Sequence, residues 1–259
     1  MAVLRAPNSP ILMPDIWLTQ GFALVVGVTF VAGLVYGFAG FGAALIYMPV
    51  ATSVLHPPVA IGAFAVCALA SFVTLVPRAW VQSDKRGSMI MLAAAIVGTP
   101  IGLWILSNTD TTLLRWVLSG IVVGTLAVLM TAWRYQMQPS GGLRAGIGGL
   151  AGVMMGSVGL NGPLVILFQL GGQDTIVRSR ANTLVFLTCS SLSLVPLMAL
   201  QGLIGWDAIL LGAVLLVPYG AGTVFGRRLF DPARETLYRR VAYAIVALAA
   251  VLGLPLWQG

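Results

Sequence analysis

A glycine-interrupted apolar segment occurs twice in this chain, as Gly37-Phe38-Ala39-Gly40-Phe41-Gly42-Ala43 and, 119 residues later, as Gly156-Ser157-Val158-Gly159-Leu160-Asn161-Gly162. Glycine lacks the Cβ that confines other residues to right-handed dihedrals, so each segment reads as an apolar helix that breaks and restarts. Inside a bilayer, broken backbone is tolerated only where protein or a water-filled cavity surrounds it. Paired breaks in corresponding halves of a membrane chain point to a transporter's binding site.

Sparse charge is what places these segments in a bilayer. Only 8% of the 259 residues are charged and 59% are hydrophobic, with a mean hydropathy of +0.98, against roughly 25% charged in a soluble domain. At about 20 residues per crossing, apolar segments fall near 16–37, 41–55, 58–77, 88–107, 113–133, 143–158, 162–172, 181–204, 207–226 and 237–257. No stretch is polar and long enough to form a soluble domain, so residues 1–259 are read as one membrane transport domain. Arg5 is the one positive charge ahead of the first apolar run, and no small-residue cleavage site follows it, which predicts a retained first helix. Cys67 and Cys189 lie in apolar segments far from metal-ligand spacing and read as small buried hydrophobes.

The halves match again at a spacing of 124, where Gly98-Thr99-Pro100-Ile101-Gly102 faces Gly222-Thr223-Val224-Phe225-Gly226. Leu113, Arg115 and Val117 then face Leu237, Arg239 and Val241. Ordered runs of this kind indicate an internal duplication, with repeat 1 at about 16–134 and repeat 2 at about 143–257. Gly98, Gly102, Gly222 and Gly226 read as small residues that let helices pack closely.

Charge placement chooses the threading. If each interrupted segment were one broken crossing, the basic residues would divide six to eight between the two sides, with no orientation. If each is a hairpin of two shorter helices, Arg78, Lys85, Arg86, Arg134, Arg144, Arg178, Arg180, Arg227, Arg228, Arg234, Arg239 and Arg240 share a side, and only Arg5 and Arg115 lie opposite. Twelve against two is the signature of positive-inside bias, so the twelve are cytoplasmic and both termini external. The formal charge of +7 therefore reports topology and not nucleic-acid binding, since the basic residues are scattered over short loops. A hairpin plus three further helices is an odd number of passes, so the second repeat enters the membrane upside down. The predicted fold is an all-α polytopic membrane protein built of two inverted-topology repeats, each a broken-helix hairpin plus three transmembrane helices.

The seven carboxylates, Asp15, Asp84, Asp110, Asp174, Asp207, Asp231 and Glu235, all fall at segment ends or in loops. An enzyme or proton pump needs acids, bases or metal ligands at depth, and no such cluster is present, which predicts no catalysis, cofactor or metal. The membrane interior offers backbone, amide and hydroxyl groups instead: Ser71, Thr74, Asn161, Gln169, Asn182, Thr183, Thr188, Ser190, Ser191 and Ser193. A helix restarting after Gly40-Phe41-Gly42, or after Gly159-Leu160-Asn161-Gly162, exposes N–H groups at its positive dipole end, and two such ends form an anion cradle. Pro163 suits the first turn of the second restarted helix, where its missing N–H costs nothing. Gly40, Phe41, Gly42, Ala43, Gly159, Leu160, Asn161 and Gly162, with Asn182 and Ser190, are the candidate substrate-binding residues. Arg178 and Arg180 stand at the cytoplasmic mouth, either as topology anchors or as captors of an incoming anion. His56, ahead of Pro57 and Pro58, is either a helix cap or a group of the outer vestibule.

At these residues the chain resembles the TauE/SafE family of membrane transporters, the sulfite exporter family, over essentially its whole length. Gly37 to Leu45, followed by Met48-Pro49-Val50, is similar to that family's N-terminal signature. Gly152 to Leu167, with Asn161-Gly162-Pro163, is similar to its second glycine-rich segment, where glycine is more usual than Asn161. The resemblance implies export of small sulfur-containing anions, such as sulfite or organosulfonates, across the bacterial inner membrane. The expected partners are that anion and the lipid bilayer. The expected mechanism is alternating access with the anion held between the two breaks; the alternatives are an ion-coupled uptake carrier or a channel-like permease for another small organic anion. None of these features fixes the oligomeric state.

Overall fold

The computed structural model describes residues 20–130, 140–171, 174–229 and 235–253. Among them every regular element is a helix. The first half contributes α1 (Gln20–Ala39), α2 (Ala43–Val54), α3 (Pro57–Cys67), α4 (Leu69–Thr74), α5 (Val76–Gln82), α6 (Lys85–Asn108) and α7 (Thr111–Met130). The second contributes α8 (Gly141–Val158), α9 (Gly162–Gly171), α10 (Ile176–Leu200), α11 (Trp206–Leu229) and α12 (Glu235–Leu252). Six stretches are long and apolar enough to cross a bilayer: Gly21–Ala39, Pro57–Thr74, Lys85–Asn108, Thr111–Met130, Ile176–Leu200 and Trp206–Leu229. Val97, Trp104 and Val217 are exposed apolar side chains of these spans, as lipid-facing positions should be. The chain is an all-α, multi-pass membrane protein.

Both glycine-rich segments break and restart as helices, and the helix after each break is short. The 12 residues of α2 and the 10 of α9 extend about 18 and 15 Å at 1.5 Å per residue. Each is roughly half of a 30 Å hydrocarbon core. The second hairpin leaves where it entered. Arg144, at the start of α8, bonds the Asp84 carboxylate. Asp174, just after α9, accepts from Asn182, whose Oδ1 in turn accepts from the Asp84 N–H.

Two sequence-based boundaries need correction. The segment expected as one helix over 58–77 is broken at Ala68 and again at Leu75. At the first break the Ser71 N–H turns back to the Ala68 carbonyl, a tightened i+3 bond. At the second, a proline ring at Pro77 collides with the carbonyl four residues earlier, so the helix restarts at Val76 with Pro77 in its first turn. The segment expected from residue 181 starts instead at Ile176, because the Thr175 side chain accepts from the Arg178 N–H at 3.3 Å and caps the helix. Arg178 and Arg180 therefore ride on the first turns of α10 and not in a flanking loop.

The two halves interlock by exchange. The most extensive helix contacts are α6 against α8 and α11 against α1, so the long helix after each half's third crossing packs on the first helix of the other half. Lipid provides no hydrophobic drive between helices, and close backbone approach through small residues provides the packing instead. A Cβ on Gly102 would lie 2.1 Å from the Val153 carbonyl oxygen, and one on Gly226 would lie 2.0 Å from that of Leu34. Gly37 and Gly156 take part in the same contacts, their added Cβ atoms meeting the Thr223 oxygen at 2.5 Å and the Thr99 oxygen at 2.4 Å. These two motif glycines serve packing, while the breaks begin three residues later. Arg5, Arg134, Arg234 and both termini, which carry part of the charge argument, lie outside the described residues, as does the Arg239 side chain.

Candidate binding site between two helix breaks

Positive φ marks both breaks: Gly40 at 81°, Gly42 at 94° and Gly159 at 75°. Residues with a Cβ resist this left-handed region, so glycine is what lets the chain reverse there. Three helices that begin at the Asp84 end of the bundle are capped by side chains: Asp84 accepts from the Gly87 N–H, Ser140 from Leu143 and Thr175 from Arg178. Helix α2 differs, for its N-cap is Gly42 and no side chain caps it. Its first N–H groups have no acceptor within the helix and remain at the positive end of its dipole.

Both breaks open on one cavity of about 20 Å³, the space of a single water. Gly42, Ala43, Ala44 and Leu45 line one side, and Asn161 and Gly162 line the other. The kinked third crossing and α10 supply the rest of the wall, with Ala68 and Ser71 facing Leu187, Thr188 and Ser191. Tyr36, Phe64 and Tyr219 complete it. Phe64 meets Tyr219 edge-on with ring centroids 5.9 Å apart, and Tyr36 stacks on Tyr219 at 6.4 Å. Every polar group in this wall is neutral.

Asn161 is fixed from behind. Its Nδ2 donates to the Leu187 carbonyl at 3.0 Å, to Ser190 Oγ at 2.9 Å and to Ser191 Oγ at 3.2 Å. Across the cavity the Tyr36 hydroxyl and Thr188 Oγ1 are 2.9 Å apart. Most hydroxyls elsewhere bond back to their own helix, as Thr99 does to Ala95 and Thr183 to Ser179. Thr188 and Ser191 instead join α10 to α1 and to the second break.

The expected residues divide accordingly. Gly42, Ala43, Asn161 and Gly162 line the cavity, and Ser190 stands behind Asn161. Gly40, Phe41, Gly159 and Leu160 shape the breaks without lining it; Phe41 and Leu160 are buried in packing. Asn182 is two turns away, donating to Gln169 and Asp174 and accepting from the Asp84 N–H. Arg180 Nη2 donates to the Gly37 carbonyl at 2.6 Å. Arg178 is exposed, with its Nε 3.7 Å from Asp174 Oδ1. His56 is exposed at the N-cap position of α3 and makes no side-chain cap bond. Sequence reasoning did not single out Tyr36 and Tyr219; their signal was a hydroxyl-bearing ring inside an otherwise apolar run.

At the Asp84 end, burial opposes ionisation of the Asp84 carboxyl. The hydrogen bonds from Arg144 and the Gly87 N–H, with the nearby charge of Arg178, outweigh it and hold the carboxyl below its ordinary value. Among the described residues no group of three His, Cys, Asp or Glu side chains could hold a metal ion. Cys67 and Cys189 are free thiols.

The sequence model of the family described as "Sulfite exporter TauE/SafE" matches residues 25–252. The chain belongs to the TauE/SafE family. The match takes in both glycine breaks and the cavity between them, so the site of this TauE/SafE protein lies wholly within the family region. No curated protein and no solved structure matches the chain.

Proposed function

We propose that this TauE/SafE protein exports small sulfur-containing anions, such as sulfite or short organosulfonates, from the cytoplasm across the bacterial inner membrane by alternating access. The observation that carries the reading is the convergence of two helix N-termini on one cavity whose polar wall is hydroxyl and amide, with no carboxylate. Two positive dipole ends favour an anion, and hydroxyl and amide groups donate hydrogen bonds to its oxygens. An inside-negative potential drives a monoanion outward by about 2.3 kcal/mol per 100 mV, so export requires no coupling ion and no buried acid.

The inverted-repeat reading is supported by the reciprocal packing of α6 on α8 and α11 on α1. In this reading the exchange also divides the helices into two moving sets. Helices α1, α2, α3, α11 and α12 contact one another, as do α6, α8, α9 and α10. The cavity falls between these two sets, so one set rocks against the other, each drawing helices from both repeats. The cavity is only about 20 Å³, and in this reading the same movement widens it for loading. In this reading Arg178 and Arg180 form the cytoplasmic mouth and exposed His56 belongs to the outer vestibule.

The test is uptake of radiolabelled sulfite and a short organosulfonate into proteoliposomes under imposed potentials of either sign, with Asn161→Ala beside the wild type. Saturable flux that follows the potential and is lost in Asn161→Ala supports the anion carrier. Absence of flux for both anions removes the substrate assignment, and flux that never saturates favours a channel.

A further inference from the structure

Each break is closed by side chains from the other half of the chain, and the two closures differ in chemistry. A Cβ on Gly40 would lie 2.7 Å from Cγ of Arg180. A Cβ on Gly159 would lie 2.5 Å from Cε of Met48 and 3.1 Å from Cγ1 of Ile61. Gly40 and Gly159 are 119 residues apart, and so are Ile61 and Arg180. The internal duplication therefore puts an arginine over one break and a branched alkyl group, beside a thioether, over the other.

These closures flank the cavity from opposite ends. Arg180 precedes cavity-lining Thr188 by about 12 Å along α10, and Ile61 precedes cavity-lining Ala68 by about 10 Å along its crossing, at 1.5 Å per residue. The start of α10 is tied through Asn182 to Asp84, which lies past the far end of the crossing that Ile61 begins. The two helices thus run in opposite senses, with a cation at one end of the path and an aliphatic plug at the other.

We propose that Arg180 is the charge-selecting residue of the path, and that Ile61 and Met48 close the far side without selecting charge. The inference rests on the transport reading above and adds a polarity to it. The Arg180 guanidinium is held by the Gly37 carbonyl at 2.6 Å, at the negative end of the α1 dipole. An arriving oxyanion offers the same donors a charge-assisted and bidentate partner, and the guanidinium exchanges the carbonyl for it. Beyond the cavity the anion meets no second cation at the corresponding position, so it is not retained there.

The test is thiol labelling. Cys67→Ala and Cys189→Ser remove the native thiols, and Ser191→Cys places one in the cavity wall. Modification rates by anionic and cationic methanethiosulfonates are measured from each face in right-side-out and inverted vesicles and normalised to a free thiol. From the Arg180 face the anionic reagent should lead by more than about tenfold, the size of charge focusing in a low-dielectric path. That lead should collapse in Arg180→Gln and persist in Arg180→Lys, whereas from the Ile61 face the ratio should stay near one. Equal ratios from the two faces, or an unchanged lead in Arg180→Gln, would overturn the proposal. Comparing the two faces needs no Arg180 variant, so it carries the test even if Arg180→Gln does not insert. No transported solute enters the readout, so its outcome is separate from that of the sulfite flux assay.

Discussion

Gly102 and Gly156 pack so closely that a Cβ on Gly102 would come within 2.9 Å of the Gly156 Cα, and Gly226 repeats the relation with Gly37 at 3.0 Å. These contacts lie in the two most extensive helix interfaces of the molecule, and they bind each half of the chain to the other.

Their cost on substitution should separate sharply from that of glycines with open surroundings. Gly102→Ala or Gly226→Ala forces two backbones apart and should destabilise by about 1–3 kcal/mol or more, as overpacking does. Gly120 and Gly124 have nothing within 4 Å of an added Cβ, so alanine there should be neutral or should stabilise by up to about 1 kcal/mol. Thermal unfolding in detergent reads both; equal losses for the two pairs would contradict the packing role.

Within the first break, Gly42→Ala meets only Val35 Cγ1 at an ordinary 3.5 Å but keeps φ at 94°, so it should cost the left-handed penalty of about 1–2 kcal/mol. Gly40→Ala carries that penalty and collides with Arg180 as well. It should be the worse of the two, and adding Arg180→Ala should recover part of the difference in the same melting assay.

Arg178 is exposed, so under the proposed transport reading its pull on an anion runs through solvent. Arg178→Gln should raise the apparent KM for sulfite several-fold at low ionic strength and leave it unchanged near 0.5 M salt, where exposed charges are screened within about 4 Å. A KM shift that survives high salt would mean that Arg178 touches the substrate directly.

Asp84 sets the acid limit of the Asp84–Arg144 junction. Its folded-state carboxyl lies below the ordinary value, which is about 3.9 in an unfolded chain. The stability it contributes is therefore complete above that value and is lost as pH falls through the lower folded one. Wild type should melt above Asp84→Asn by a constant margin from pH 5 to 8, and the margin should shrink below about pH 4. A margin that changes between pH 6 and 8 would assign it to another group.

Hydropathy, the 119 and 124 spacings and the charge asymmetry made the all-α membrane class and the two breaks legible before any coordinates. The spacing arguments read correspondence between halves, but not which corresponding glycines touch: Gly102 meets Gly156, and Gly226 meets Gly37. The kink at Ala68 was invisible because an apolar run carries no mark of a local i+3 bond, whereas Pro77, in the first turn of the helix that restarts after Leu75, was there to be read. Asn182 looked like a site residue because it is an amide in an apolar run, whereas it holds the Asp84 turn. Tyr36 and Thr188 meet across 152 positions of sequence, a contact that only tertiary packing creates.

The most direct test of the anion cradle is equilibrium binding of labelled sulfite to the purified protein and to Asn161→Asp at pH 8, with the variant's melting temperature as a folding control. A carboxylate at this position keeps the shape and sets a like charge beside the anion, which should weaken binding about a hundredfold, the effect of a few kcal/mol between adjacent like charges in a partly polar site. Sulfite binding that is equally tight in the folded Asn161→Asp variant would contradict the account and move the site away from the two helix breaks.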